Sequence, residues 1–181
     1  MASKGISIGM SLKELTFDKH RAAEGTRFMQ ELIAKRLPTE VWTKFVYQKV
    51  LIYKTLEGLG GAYCGLNSIH QLYRAVKLFD DFKELSNNQP YEFTESAIQY
   101  HWYITSLKDP AKIMAHIYVW HMGDLFGGQM IKQLVPGTNS ALEFEHREML
   151  IKELRTRCDV SMADEANVAF DWAIKIMNEL F

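Results

Sequence analysis

The sequence predicts an all-α protein of one domain, and three observations support that prediction. Apolar residues recur at helical spacing along most of the chain, no segment of useful length alternates as a β-strand does, and the four prolines fall at plausible helix ends. The 181 residues are 48% hydrophobic and 24% charged, which is typical of a globular domain. A chain of this size buries roughly 70% of its unfolded surface. We therefore interpret residues 1–181 as one domain around one core, with residues 1–10 flexible.

The first helices are predicted from a cap and two amphipathic runs. Residues 11–14 (SLKE) have the spacing of a capping box, so a helix should begin at Leu12 and continue past His20. A second helix should follow Pro38 and weaken at the glycines at 58, 60 and 61. Its predicted buried face consists of Trp42, Phe45, Val46, Ile52, Tyr53 and Leu56. Residues 69–82 predict a third helix, buried through Leu72, Val76 and Phe79.

The second half of the chain predicts four more helices. Residues 86–90 (SNNQP) indicate a loop, and residues 91–107 form the next helix. Pro110 then opens a long helix that ends before residues 136–138 (PGT). Its predicted shared face consists of Met114, Ile117, Tyr118, His121 and Leu125. The last two helices are expected over 140–158 and 164–181, the final one buried through Ala166, Ala169, Ala173, Ile176, Met177 and Leu180.

Composition and charge exclude several classes of function. The net charge of −1 gives no reason to expect a nucleic-acid partner, although the first 54 residues carry an excess of five positive charges that could attract an acidic partner. No apolar run approaches the ~18 residues that span a bilayer, so no membrane partner is expected. The two cysteines stand in no CxxC pattern, which leaves structural zinc and covalent haem attachment without ligands. We interpret the protein as soluble and cytoplasmic, with reduced thiols.

The most unusual local feature is the glycine motif at residues 123–129 (GDLFGGQ), which interrupts a strong helical pattern. Three glycines in a helix interior cost about 1 kcal/mol each relative to alanine. Gly123 and Gly127 share a face, so the motif favours equally a close helix contact and a flat ligand against the backbone. Asp124 has no capping role in mid-helix, and this favours a ligand site in which its carboxylate orders water or protons.

A second feature is His20, which has Glu24 one helical turn further along the chain. A carboxylate that holds one imidazole nitrogen leaves the other nitrogen free to bind a metal. This spacing is also common on ordinary helix surfaces, so the pair alone is a weak indication.

Together, these two features resemble the haem oxygenase family, in the form of its soluble bacterial and phage members that produce biliverdin. The family's distal-helix signature usually reads GDLSGGQ, and the similar motif here lies within HIYVWHMGDLFGGQMIK. The N-terminal match to the family's proximal helix comprises residues 12–16 (LKELT), His20, residues 23–24 (AE) and residues 28–29 (FM). The resemblance runs from about Ser11 to Phe181. It implies an all-α bundle with haem between a proximal helix and a distal helix kinked at its glycines.

The resemblance also implies a role for each matching residue. His20 would be the proximal iron ligand, Glu24 its hydrogen-bonding partner, and Phe170 a packing contact for the porphyrin. Asp124 would order the distal water. The haem propionates would be held by Lys13, Tyr118, Lys152 and Arg155. The distal helix would lie against the haem face through Gly123, Gly127 and Gly128.

Haem would then be both prosthetic group and substrate, opened by O2 and external electrons to biliverdin, CO and Fe²⁺. The resemblance further implies a soluble electron donor, such as ferredoxin or a reductase, and a downstream bilin reductase.

Three departures from the family pattern leave alternatives open. Phe126 replaces the usual serine, Trp120 stands where a basic residue is frequent, and His121 where tyrosine is frequent. A haem or bilin carrier of the same fold that has lost turnover is therefore a second hypothesis. A helical interaction domain without a cofactor is a third, and it requires both motifs to be coincidental. Residues 143–146 (EFEH) supply only half of a di-iron carboxylate site, so di-iron chemistry is not expected.

Overall fold

The computed structural model describes residues 10–181, and within that range it is built of helices without a strand. The all-α prediction is confirmed. The expected flexible segment 1–10 lies outside the described residues except for Met10. The α-helices of the described range are α1 (Leu12–Leu15), α2 (Phe17–Glu24), α3 (Arg27–Ile33), α4 (Thr39–Tyr63), α5 (Ala75–Ser86), α6 (Glu95–Ser106), α7 (Pro110–Lys132), α8 (Arg147–Thr156) and α9 (Ala163–Asn178). Short 3-10 helices span Leu66–Leu72, Ser140–Leu142 and Val160–Met162.

The N-terminal helix begins where the capping box predicts, but it is not continuous. The Ser11 amide donates to Glu14 Oε2 at 2.6 Å, and the Glu14 amide donates to Ser11 Oγ at 3.3 Å. The chain leaves helical geometry at Thr16, which has φ −106° and ψ 3° and whose hydroxyl donates to the Leu12 carbonyl at 2.9 Å. This bond offers the backbone an alternative to a continuing helix. His20 therefore lies on a separate helix, α2, that starts at Phe17.

Helix α4 begins after Pro38 as predicted, but its glycines do not end it. The helix continues through all three glycines to Tyr63. A Cβ at Gly60 would lie 2.3 Å from Leu66 Cδ1 and 2.9 Å from Ile117 Cδ1. The missing side chain thus lets α4 approach both the 3-10 helix at Leu66–Leu72 and the long helix α7.

The expected third helix over 69–82 is replaced by the 3-10 helix, a break at Arg74, and α5. The buried Arg74 guanidinium donates to the carbonyls of Gln71, Leu72 and Tyr73, and so occupies the position where a continuous helix would run. The break shifts the helical phase, so the predicted buried face is confirmed at Leu72 but wrong at Val76 and Phe79. Val76 and Phe79 are 76% and 46% exposed, whereas Leu78 and Phe82 are buried.

The predicted helix over 140–158 is likewise divided, into the 3-10 helix Ser140–Leu142 and α8. The buried carboxylate of Asp81 accepts from the amides of Ser140 and Ala141 at 2.7 and 2.8 Å, which fixes this segment against α5. Helix α7 lies at the centre of the bundle, where it packs against α4, α8 and α9. Helix α9 also packs against α2, so it joins the proximal and central helices. In residues 10–181, none of the helices combines the length and apolarity that a bilayer crossing requires.

Candidate functional site

His20 lies on α2 against α9, with much of its side chain open to solvent. Its ring meets that of Phe170 edge-on, with centroids 5.8 Å apart, and the neighbouring Lys19 pairs with Asp171 at 2.6 Å. The His20 side chain is 54% exposed, and its Nδ1 lies 3.7 Å from Glu24 Oε1, slightly beyond hydrogen-bond length. The structure thus places His20, Glu24 and Phe170 together, with an imidazole accessible from outside.

One side of α7 is free of large neighbours at the glycine motif, and the helix stays continuous there. A Cβ built on Gly123 would meet no atom within 4 Å, and one on Gly127 would meet only Ile131 of its own helix. Phe126 and Met130, which helical spacing places beside these glycines, are 54% and 52% exposed. Gly123, Phe126, Gly127 and Met130 form what we call the open strip of α7.

Gly128 lies on a different side of α7 and has a packing role. It is buried, and a Cβ there would lie 3.2 Å from the Leu142 carbonyl oxygen. The close helix contact that the motif suggested is therefore found at Gly128, and the open space that a flat ligand would need is found at Gly123. Gly128 brings α7 close to the Ser140–Leu142 segment, in place of the haem contact expected for it, while Gly123 keeps a surface open.

Asp124 is held in a buried ion pair between α7 and α4. Lys49 Nζ lies 2.7 Å from each carboxylate oxygen, and the Tyr53 hydroxyl donates to Oδ2 at 2.5 Å. The side chains of Lys49 and Asp124 are 4% and 9% exposed. Burial, with the Asp124 charge adding to it, raises the pKa of Tyr53 well above its usual value, so this hydroxyl keeps its proton. Asp124 has no capping role, as expected, but it does have a structural role in this ion pair between two helices.

Sequence reasoning missed Lys49, although a signal for it exists. Lys49 stands three residues after Val46 and four before Tyr53, so it falls on the predicted buried face of α4. A lysine on such a face is almost never fully buried unless it is paired. The pattern therefore called for a carboxylate partner, and that partner is Asp124 on another helix.

The residues expected to hold propionates lie on three elements, of which α8 borders the open strip. Lys152 and Arg155 of α8 line, with Phe126, a shallow depression of about 460 Å³. The Arg155 guanidinium lies 5.5 Å from the Phe126 ring. Burial raises the pKa of Tyr118, and the Arg155 charge opposes that rise, so these two side chains share one neighbourhood. Lys13 is exposed on α1, which packs against the 3-10 helix that follows α8.

Two of the three departures from the family pattern lie in buried polar networks. Trp120 Nε1 donates to the Tyr100 hydroxyl at 2.9 Å, and Tyr100 continues through His116 to Glu165. His121 Nε2 lies 3.2 Å from Glu57 Oε1, and its Nδ1 is buried without a partner in the described range. Phe126, by contrast, points outward between the guanidinium groups of Arg147 and Arg155.

Comparison with known proteins agrees with this architecture. A family model described as "Heme oxygenase" matches residues 7–153, and the chain belongs to that family. Heme oxygenase 2 of Mus musculus is 25% identical over 93% of this chain, which spans 64% of that protein's length. The heme oxygenase of Porphyra purpurea is 22% identical over 96% of this chain and 86% of its own length.

Solved structures show the same fold. Heme oxygenase-1 of Synechocystis sp. PCC6803, determined in complex with heme, superposes with a TM-score of 0.83 at 22% identity, covering 93% of this chain and 90% of its own. The heme oxygenase of Leptospira interrogans also gives a TM-score of 0.83, at 23% identity, and the match covers 93% of this chain and 97% of that one. The fold of this chain is therefore that of the haem oxygenases.

The residues of the site fit haem in three respects. Gly123 leaves a space that a Cβ would partly fill, as a flat ligand close to a helix backbone requires. His20 offers an exposed imidazole, a common ligand of iron. Lys152 and Arg155 add exposed cations beside the open strip, which suits a ligand with two carboxylates.

Proposed function

We propose that this protein is a haem oxygenase that opens haem to biliverdin, CO and Fe²⁺, and that residues 1–181 act as a single domain. The observation that carries the proposal is that a chain of this family has both an exposed His20 on α2 and the open strip on α7, two helices that both pack on α9. When bound, haem supplies the iron that activates O2 and the ring that is opened.

His20 would bind the iron, and its neighbours would orient it. Glu24 lies close enough to Nδ1 to hold that nitrogen after a small movement or through one water. An imidazole held in this way keeps its ring orientation and gains basicity. Phe170, which lies edge-on to His20, would restrict rotation of the ring and would give the porphyrin an apolar contact.

The exposed cations would anchor the propionates. Lys13, Lys152 and Arg155 are exposed, and an exposed ion pair is worth only about 0 to 1 kcal/mol. Tyr118 would add a hydroxyl donor from the half-buried wall beside Arg155. Four weak contacts from α1, α7 and α8 would therefore determine the orientation of the bound haem more than the protein's affinity for it.

Asp124 would order water on the distal side. Its carboxylate is fixed in position by Lys49 and Tyr53, and it adjoins Gly123 of the open strip. A fixed acceptor beside a ligand site can align a water molecule for proton delivery without moving itself.

The electrons would come from a soluble donor, a ferredoxin or a reductase, and a bilin reductase would take the product onward. The exposed cations beside the open strip support an acidic donor, because opposite charges accelerate encounter. With its thiols free, the protein suits the reducing cytoplasm that we propose as its location.

A turnover assay tests the proposal. Protein loaded with haem, supplied with ferredoxin, ferredoxin reductase, NADPH and O2, should yield biliverdin and CO. Asp124→Asn should bind haem nearly as wild type but lose turnover by on the order of 10². The comparison is made at matched haem occupancy. Equal yields from both proteins would remove Asp124 from the reaction, and haem binding without biliverdin from wild type under any reductant would favour the carrier function.

A further inference from the structure

The ion pair between α4 and α7 is unusual for its depth and geometry. Lys49 is a buried lysine whose ammonium contacts both oxygens of one carboxylate at equal distance. The same ammonium lies 5.1 Å from the Tyr53 ring and 5.7 Å from the Phe45 ring. Aromatic walls and the carboxylate therefore surround the cation, so it is confined to one position.

Burial determines what this pair does to Asp124. A carboxylate that loses its only close cation in such a place becomes neutral by taking up a proton, because an isolated buried charge is too costly. The Tyr53 hydroxyl supplies a hydrogen bond but no charge. Arg74, the other buried cation nearby, donates from its guanidinium to the carbonyls of Leu72 and Glu143 and has no hydrogen bond to Asp124. Among the described residues, Lys49 is thus the cation in direct contact with the Asp124 carboxylate.

Two-point contact also fixes the direction of the carboxylate. With both oxygens held by one ammonium and Oδ2 also bonded to Tyr53, the group cannot rotate. An ionised carboxylate has no proton to give and can only accept hydrogen bonds.

We propose that Lys49 is a positioning residue of the reaction. It holds Asp124 as a fixed anion, so that Asp124 works as an acceptor that aligns distal water and not as a proton donor. This inference rests on the function proposed above and names a further residue for it. Lys49 would act through Asp124, because its buried ammonium contacts that carboxylate.

A double-mutant cycle tests the proposal with Lys49→Met, Asp124→Asn and the combined variant. Methionine keeps the unbranched shape of lysine without its charge. Lys54→Met is the matched control, because it removes an exposed lysine from the same helix. Infrared spectra and thermal melting are measured on haem-free protein, while haem affinity and biliverdin yield are measured on loaded protein.

The infrared spectrum of haem-free Lys49→Met should show a protonated carboxyl band that is absent from wild type, Lys54→Met and the combined variant. Turnover of Lys49→Met should fall roughly tenfold or more at matched occupancy, with haem affinity changed by less than about threefold. In the Asp124→Asn background, Lys49→Met should cause no further loss of turnover, because the two residues act as a unit.

A folded Lys49→Met protein without the new band, or a loss of turnover of the same size in both backgrounds, would overturn the proposal. If Lys49→Met does not fold, the combined variant should still fold, because it leaves no unpaired charge. Equal turnover of the combined variant and Asp124→Asn would then support the proposal, and a lower turnover of the combined variant would overturn it. If wild type makes no biliverdin, the proposed function fails, and the infrared comparison on haem-free protein still tests whether Lys49 keeps Asp124 ionised.

Discussion

The two sides of the glycine motif should respond oppositely to the same substitution. Gly123→Ala adds a methyl group that meets no atom within 4 Å, so only helix propensity changes. Replacing glycine by alanine in a helix interior stabilises by about 0.5 to 1 kcal/mol. For a chain of this length, that corresponds to a rise in Tm of roughly 1 to 4 °C.

Gly128→Ala gains the same propensity but places its methyl group 3.2 Å from the Leu142 carbonyl and 3.4 Å from Leu142 Cβ. Leu142 cannot move easily, because Asp81 holds the amides of the two residues before it. Overpacking of this kind costs about 1 to 3 kcal/mol. The sum predicts a net loss of stability, on the order of 1 kcal/mol, for Gly128→Ala.

Calorimetric melting of the haem-free variants tests the predicted direction of the change in Tm for each variant. Haem titration followed at the Soret band tests the effect on haem affinity. Gly123→Ala should weaken haem binding severalfold, and the larger Gly123→Leu should weaken it further, although both leave the fold intact. The reasoning is refuted if Gly123→Ala lowers Tm, or if Gly123→Leu binds haem as tightly as wild type.

Three further predictions concern the ligand, the rim and a buried network. His20→Ala should fold and lose the axial ligand, so that ring opening collapses and added imidazole restores it; an unchanged haem spectrum and normal turnover without imidazole would exclude His20. Combined Lys13→Ala and Arg155→Ala should weaken haem binding modestly and give mixed biliverdin isomers by product chromatography; wild-type affinity with a single isomer would refute their role. The pKa of Glu165 lies below its usual value, chiefly because His116 donates to it, so its contribution to stability is present at neutral pH and is lost as the pH falls through that lowered pKa. Glu165→Gln should therefore lower Tm at pH 7 and flatten its decline on acidification, and parallel Tm curves for both proteins would contradict this.

The features that sequence predicted correctly depend on neighbours within one or two helical turns. The Ser11–Glu14 capping box, the start of α4 after Pro38 and the buried stripe of α9 all belong to this class. Each is determined by side chains that are near one another in the sequence and are therefore also near one another in the folded helix.

The predictions that failed depend on contacts between distant segments. Arg74 breaks the expected helix over 69–82 because its guanidinium finds carbonyls in the folded chain, and Asp81 divides the expected helix over 140–158 from 59 residues away. Periodicity carries no information about either contact. The partner of Asp124 lies 75 residues away, on a helix that no local pattern pairs with α7.

The predictions for the candidate site also divide into those that depend on local spacing and those that depend on distant contacts. The glycine motif and the spacing of His20 from Glu24 are local, and they indicated the two helices of the site. The different roles of Gly123 and Gly128 depend on Leu142, and the position of the Asp124 carboxylate depends on Lys49. Neither of these dependences can be recognised without the folded structure.

The buried pair of Lys49 and Asp124 also limits how this sequence can drift over evolutionary time. Leaving either charge alone in the interior costs about 3 to 5 kcal/mol, a large part of the 5 to 15 kcal/mol by which a typical domain is stable. Neither position can change first without a compensating change, so a substitution at 49 or 124 should be accompanied by one at its partner or at a residue that can take over the partner's charge. A cation placed one turn before Asp124, where this chain has Trp120, would reach the same carboxylate from α7 and release position 49 to become apolar. The cation that pairs with Asp124 can thus lie on either of two helices, at position 49 of α4 or at position 120 of α7. This chain has the cation at position 49.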